Sequence, residues 1–143
     1  AGDPVKRRSR GMYLTSSYQF YHDKAAGHDL GAFFLGGVGD GDTGQVDWFY
    51  AAGVVGNGWM PTRADSEIGF GVTQSHNADK YVRSVEAAGN NTERNEYSLN
   101  LYYRDKISSG VSVEPNFQYV INPGTDPAVK NAAVLGLRFD INF

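Results

Sequence analysis

With 143 residues, a formal net charge of −3 and no cysteine, the chain has room for one ordinary domain. It offers neither a disulfide framework nor a thiolate metal site, and no basic excess to hold nucleic acid. Mean hydropathy is −0.43 and no run approaches the roughly 18 consecutive apolar residues of a membrane helix, yet neither fact excludes a membrane barrel, whose strands alternate lipid-facing and water-facing residues.

Residues 1–10 read as a polar N-terminal segment or loop. Lys6, Arg7, Arg8 and Arg10 would fall on both faces of a strand, and there is no apolar stretch of a secretion signal. The segment is either already processed or starts within something longer. From residue 11 to residue 143, period-2 alternation recurs. Met12 to Tyr21 sets Met12, Leu14, Tyr18 and Phe20 against Tyr13, Thr15, Ser17 and Gln19. Leu30 to Val38 and Val46 to Val55 are blurrier strands. Between them, Gly37-Val38-Gly39-Asp40-Gly41 has the glycines of a dinucleotide loop, but no helix pattern follows to hold a phosphate, so a tight hairpin is expected. Asp40 and Asp42 supply only half of a calcium loop.

Ser66 to Thr73 places Ile68, Phe70 and Val72 opposite Gly69, Gly71 and Thr73. Gln74 to Asn95 is a long polar connection. In Tyr97 to Arg104, Tyr97, Leu99, Leu101 and Tyr103 oppose Ser98, Asn100, Tyr102 and Arg104, and Asp105-Lys106 reads as a tight turn. Val111 to Ile121 alternates Val111, Val113, Pro115, Phe117, Tyr119 and Ile121 with Ser112, Glu114, Asn116, Gln118 and Val120. Asn122 to Pro127 carries the proline and glycine of a turn. The last strand, Val134 to Phe143, is the cleanest: Leu135, Leu137, Phe139, Ile141 and Phe143 face one way, and Gly136, Arg138, Asp140 and Asn142 the other.

These strands run for about 8–12 residues, enough to cross a bilayer at a tilt of roughly 45°. Aromatics cluster towards their ends, among them Tyr21, Trp48, Tyr50, Tyr97, Tyr103, Tyr119 and Phe143. Amphipathic rings favour the headgroup level, which tilts the reading from a soluble sandwich to a barrel. A periplasmic C-terminus puts the 74–95 and 122–131 connections outside and Asp105-Lys106 inside, as the short-turn, long-loop rule requires. The Gly56 to Ala64 connection is long for a periplasmic turn.

Four ordered segments resemble the carbohydrate-selective porins of the OprB family: Val46-Asp47-Trp48-Phe49-Tyr50-Ala51-Ala52-Gly53, Gly58-Trp59-Met60-Pro61-Thr62-Arg63-Ala64-Asp65 with Ile68-Gly69-Phe70-Gly71-Val72, Glu114-Pro115-Asn116-Phe117-Gln118-Tyr119-Val120-Ile121-Asn122-Pro123-Gly124, and Val134-Leu135-Gly136-Leu137-Arg138-Phe139. The resemblance implies an all-β fold, an antiparallel transmembrane β-barrel of sixteen strands of which this chain supplies about the last seven. It implies a Gram-negative outer-membrane channel for small sugars, working without a cofactor and without catalysis. A structural or anchoring barrel segment with no channel of its own is the alternative.

If the apolar face meets lipid and lipopolysaccharide, the polar face nominates Arg138, Asp140, Glu114, Gln118, Asn116, Arg104, Tyr102 and Asp47 as channel-lining. Each taken singly is better read as part of a wall-to-wall salt bridge; collectively some should touch the permeating sugar. Arg63 and Asp65 belong to a periplasmic turn, which a local ion pair between them would hold. His22, His28 and His76 show no metal-ligand spacing. The partners expected are lipid, small sugars and the remaining barrel strands, supplied by another chain or by sequence outside this one, with oligomerisation left open.

Overall fold

The computed structural model describes residues 8–142. Seven strands form one sheet: β1 (Gly11–Asp23), β2 (His28–Gly39), β3 (Val46–Asn57), β4 (Glu67–Asn77), β5 (Asn95–Ser108), β6 (Val111–Ile121) and β7 (Ala132–Ile141). They stand in chain order, β1-β2-β3-β4-β5-β6-β7, each antiparallel to the next. A helix, α1 (Asp79–Ala87), and a short 3-10 turn (Pro123–Thr125) lie in the connections. Every strand expected from alternation is present. Phe143 and residues 1–7, which include Lys6 and Arg7, lie outside the described residues; residues 8–10 have no regular structure.

Because paired residues share a face, the register sorts the side chains of all seven strands into two surfaces. One surface is apolar. A row through Tyr18, Ala32, Val54, Phe70, Leu101, Phe117 and Leu135 crosses every strand without a charged residue. The large side chains on this face are uncovered: Leu135 is 84% exposed and Met12 74%. Among the described residues the buried apolar side chains are Ala78 and Val82 alone, both at α1. A sheet with no apolar core of its own makes physical sense when lipid is the solvent on that face. Rings gather at both ends of it. Trp48 stacks on His76 at 5.0 Å near one end. Trp59 stacks on His28 at 4.7 Å and donates its indole N–H to the Asp29 carbonyl at 2.9 Å near the other. Such amphipathic rings are suited to the two headgroup levels.

Three expectations change, two about connections and one about a strand face. β5 runs through Asp105 and Lys106, which pair with Val113 and Ser112, and the turn is Ser109-Gly110. A Cβ at Gly110 would come 2.7 Å from the Asn142 carbonyl oxygen, so the turn needs its glycine there and not a residue earlier. β4 extends to Asn77, and the stretch after it is not irregular but holds α1. Ala78, Val82 and Val85 recur at helical spacing and give α1 its covered face. Finally, Phe20 sits where the β1–β2 register shifts, so Tyr21, not Phe20, pairs with Leu30 on the apolar face.

The long connections are tied together. Asn77, 2% exposed, donates its amide to the Glu93 carbonyl at 2.9 Å and to the Thr125 hydroxyl at 2.8 Å, and accepts from Gln45 at 3.3 Å. One side chain at the end of β4 thereby joins the β2–β3, β4–β5 and β6–β7 connections. Beside α1, the Arg94 guanidinium holds the Asp79 carboxyl below its usual range through a 2.5 Å contact.

The two surfaces should respond differently to charge. Leu101→Arg, in the middle of β5 on the apolar face, is expected to cost about 2–4 kcal/mol. Asn100→Lys, one residue away on the other face, should stay within about 1 kcal/mol. Urea unfolding of the protein in lipid vesicles measures both.

Candidate functional site

The second surface is polar, and its organising feature is again a row. His22 pairs with Asp29, Asp29 with Asn57, Asn57 with Glu67 and Glu67 with Arg104. Arg104 donates to Glu114 at 2.8 Å, and Glu114 stands opposite Arg138. One imidazole, amide or charged side chain comes from each of the seven strands, and on β4 to β7 the sign alternates. Arg104 lies between two carboxylates, with Glu114 2.5 Å from one terminal nitrogen and Glu67 3.4 Å from the other. Tyr102 donates its hydroxyl to Glu67 at 2.7 Å and carries the Arg104 guanidinium 5.8 Å from its ring centroid. Arg138 turns along its own strand and donates twice to Asp140, at 2.8 and 3.1 Å.

Above this row the wall recedes wherever a glycine faces a large neighbour. A Cβ at Gly69 would lie inside the Tyr102 ring, and one at Gly136 would collide with the Asn116 amide. The Phe33 ring lies over Gly53, within 2.6 Å of where a Cβ would be, and the Phe49 ring over Gly37, within 2.7 Å. Glycine here has a steric reason: it lets side chains lie flat along the sheet rather than project. Gln118 donates to Ser98 at 2.9 Å and Asn100 to the same hydroxyl at 3.1 Å, a small amide patch on β5 and β6.

Of the residues nominated from sequence, Arg104, Glu114, Tyr102, Asn116, Gln118, Arg138 and Asp140 share the polar face. Asp47 stands apart from them. It falls in the irregular register between Val46 and Trp48, and its carboxylate meets the His76 imidazole at 2.7 Å, beside the ring of Trp48 on the apolar face. Arg63 does not pair with Asp65. Its guanidinium reaches Asp105 of β5 at 3.3 Å, where Asp105 is 7% exposed, so its side chain ties the turn to the neighbouring hairpin. Asp65 has no ion pair among the described residues.

His22, Asp29, Asn57 and Glu67 escape a strand-by-strand reading, because only pairing register shows that they continue the row. Glu67 carries the one local signal, lying in phase with Gly69, Gly71 and Thr73. Among the described residues no group of three His, Asp or Glu side chains could hold a metal ion.

The model of the family of carbohydrate-selective porins called OprB matches residues 1–143. Porin B of Pseudomonas aeruginosa is 29% identical over 158 residues, which cover 99% of this chain and 35% of that protein. A solved structure, described as the high-pH structure of Pseudomonas putida OprB, superposes with a TM-score of 0.85 at 29% identity, covering 93% of this chain and 35% of the other. The chain thus spans about a third of the length of these relatives.

The glycine cradles carry a test. Gly69→Ala is expected to lift Tyr102 off Glu67 and to destabilise the sheet by about 1–3 kcal/mol. The double change Gly69→Ala with Tyr102→Ser, which removes the ring, should recover part of that loss in the same urea titration.

Proposed function

Because the chain belongs to the OprB family of carbohydrate-selective porins, we propose that it forms the C-terminal strands of a passive outer-membrane channel for small neutral sugars. Residence in the bacterial outer membrane follows from the family. The channel reading goes further, and the observation that carries it is the polar row crossing all seven strands on the face opposite the apolar one. On this reading Arg104, Glu114, Arg138, Asp140, Tyr102, Asn116 and Gln118 line the permeation path, Asp47 stands at its rim, and Arg63 with Asp65 belongs to a periplasmic turn.

The chemistry is exchange of hydrogen bonds. A sugar entering a narrow pore sheds water from its hydroxyls, each of which donates and accepts. The row offers carboxylate acceptors, guanidinium donors and amides that do both. Its charges are held against one another, Arg104 between Glu67 and Glu114 and Arg138 on Asp140, so a neutral solute meets partners without a strong net field, and a free ion is favoured little over it. Conduction requires contacts that are individually weak and numerous, so that the solute can leave. No covalent step is needed; the concentration gradient drives the flux.

Seven strands leave the outer edges of β1 and β7 without a partner from this sheet. In lipid each unsatisfied backbone group costs several kcal/mol. The proposal therefore includes further strands, from the rest of a longer porin chain or from another chain, that pair with both edges. Residues 11–143 form the barrel portion and residues 1–10 a polar lead-in. Membrane lipid and lipopolysaccharide cover the apolar face.

The test is electrical. The whole porin that contains this chain, reconstituted in a planar bilayer, should conduct in steps that added glucose reduces. Arg104→Ala removes one positive charge from the wall. A unit charge about 10 Å from a permeating ion in water is worth about 0.4 kcal/mol; its loss favours a cation and disfavours an anion by that amount each, so the cation-to-anion permeability ratio should rise about fourfold. A porin that conducts nothing overturns the channel reading and leaves a structural barrel.

A further inference from the structure

The geometry points to a binding subsite for a single neutral pyranose on the polar face of β1 to β3, a part of the wall that the charged residues of β5 to β7 do not reach. The inference rests on the channel reading above and adds to it a place and a ligand class. A cavity of about 360 Å³ opens there, space for about twelve waters at roughly 30 Å³ each. That holds one hexopyranose and a few waters rather than a folded oligosaccharide.

Three features build the subsite. Its floor is Gly31, which lies between Gln19 and Val55 in the ladder and has no side chain, so the wall is hollow at that point. Its platform is Phe33. The ring lies against Gly53 and reaches Gly71, and Phe33 is 39% exposed, so part of the aromatic ring is open to the cavity. The C–H-lined face of a pyranose is the kind of surface such a ring takes up, an apolar contact with a polar rim. Its rim is Asp29, Asn57, Ser17 and Gln19. Asp29 is held in place by the Gln19 amide at 2.8 Å and by the His22 ring. Asn57, directly opposite Asp29, and Ser17 make no side-chain hydrogen bond among the described residues. An oriented carboxylate beside an uncommitted amide and hydroxyl supplies acceptors and donors for adjacent sugar hydroxyls. No arginine or lysine lines the cavity, so nothing there would compensate an anionic ligand, and Asp29 would repel it.

Glucose titration of the whole porin in planar bilayers tests this directly. The apparent dissociation constant is read from the fall in current. Phe33→Leu, which keeps bulk but removes the aromatic face, is expected to raise that constant roughly fivefold, and Phe33→Tyr to leave it near the wild-type value. Asn57→Ala should raise it roughly fivefold through a lost hydrogen bond. Val54→Ala, on the lipid-side face of β3, should leave it unchanged. If Phe33→Leu fails to assemble, Asn57→Ala decides alone. Wild-type constants in both Phe33→Leu and Asn57→Ala, with glucose still reducing the current, overturn the subsite and leave the sugar channel standing. A wild-type current indifferent to glucose overturns both.

Discussion

Everything in this fold depends on one requirement: a backbone N–H or C=O placed in hydrocarbon must find its hydrogen bond within the protein. The sheet meets it by continuous antiparallel pairing from β1 to β7, and the pairing then dictates the rest. Period-2 geometry gives each strand two faces, register aligns the faces across strands, and the solvent on each side decides which residues it tolerates. Among the described residues the sheet has no buried apolar centre to arrange, so side-chain packing is a matter of rows. The charged row and the apolar row are two readings of the same ladder.

Glycine supplies the second level of organisation. Gly37, Gly53, Gly69 and Gly136 each lie beneath a side chain that would otherwise have to stand upright. Laying Phe33, Phe49, Tyr102 and Asn116 against the wall keeps space open above the sheet while still covering the backbone. At Tyr102 the result is also electrostatic. The ring is brought down to where its hydroxyl meets Glu67 and its face meets Arg104, so a steric vacancy at Gly69 positions a three-residue polar cluster.

How legible each part was in the sequence follows from the same physics. β6 and β7 could be read residue by residue because their two faces differ in kind, Phe117 and Leu135 against Glu114 and Arg138. β2 and β3 are blurred because both faces are mixed there: Phe33, Leu35, Phe49 and Val55 lie on the polar face, and Ala32, Gly36 and Ala52 sit among Phe34, Trp48 and Val54 on the apolar one. A hydrophobicity pattern cannot separate faces when small residues meet lipid and large rings meet water. The turn at Ser109-Gly110 was misplaced for a related reason. Asp105 and Lys106 look like turn residues until Arg63, some forty positions earlier, is seen to neutralise Asp105. Alternation finds Arg104, Glu114 and Arg138, but their continuation through Glu67, Asn57, Asp29 and His22 is a property of register, which no single strand contains.

The row also has a direction. Neighbouring strands lie about 4.8 Å apart, and strands in a barrel of this type lean about 35–45° from its axis. A line drawn across them therefore cannot stay level. It gains about 3 Å of height per strand, and over the six intervals from His22 to Arg138 about 18 Å, most of the roughly 25 Å apolar band. The polar residues form a spiral stair rather than a ring. On the channel reading proposed above, a sugar descending it would hand its hydroxyls from tread to tread, never needing to strip all of them of water at once.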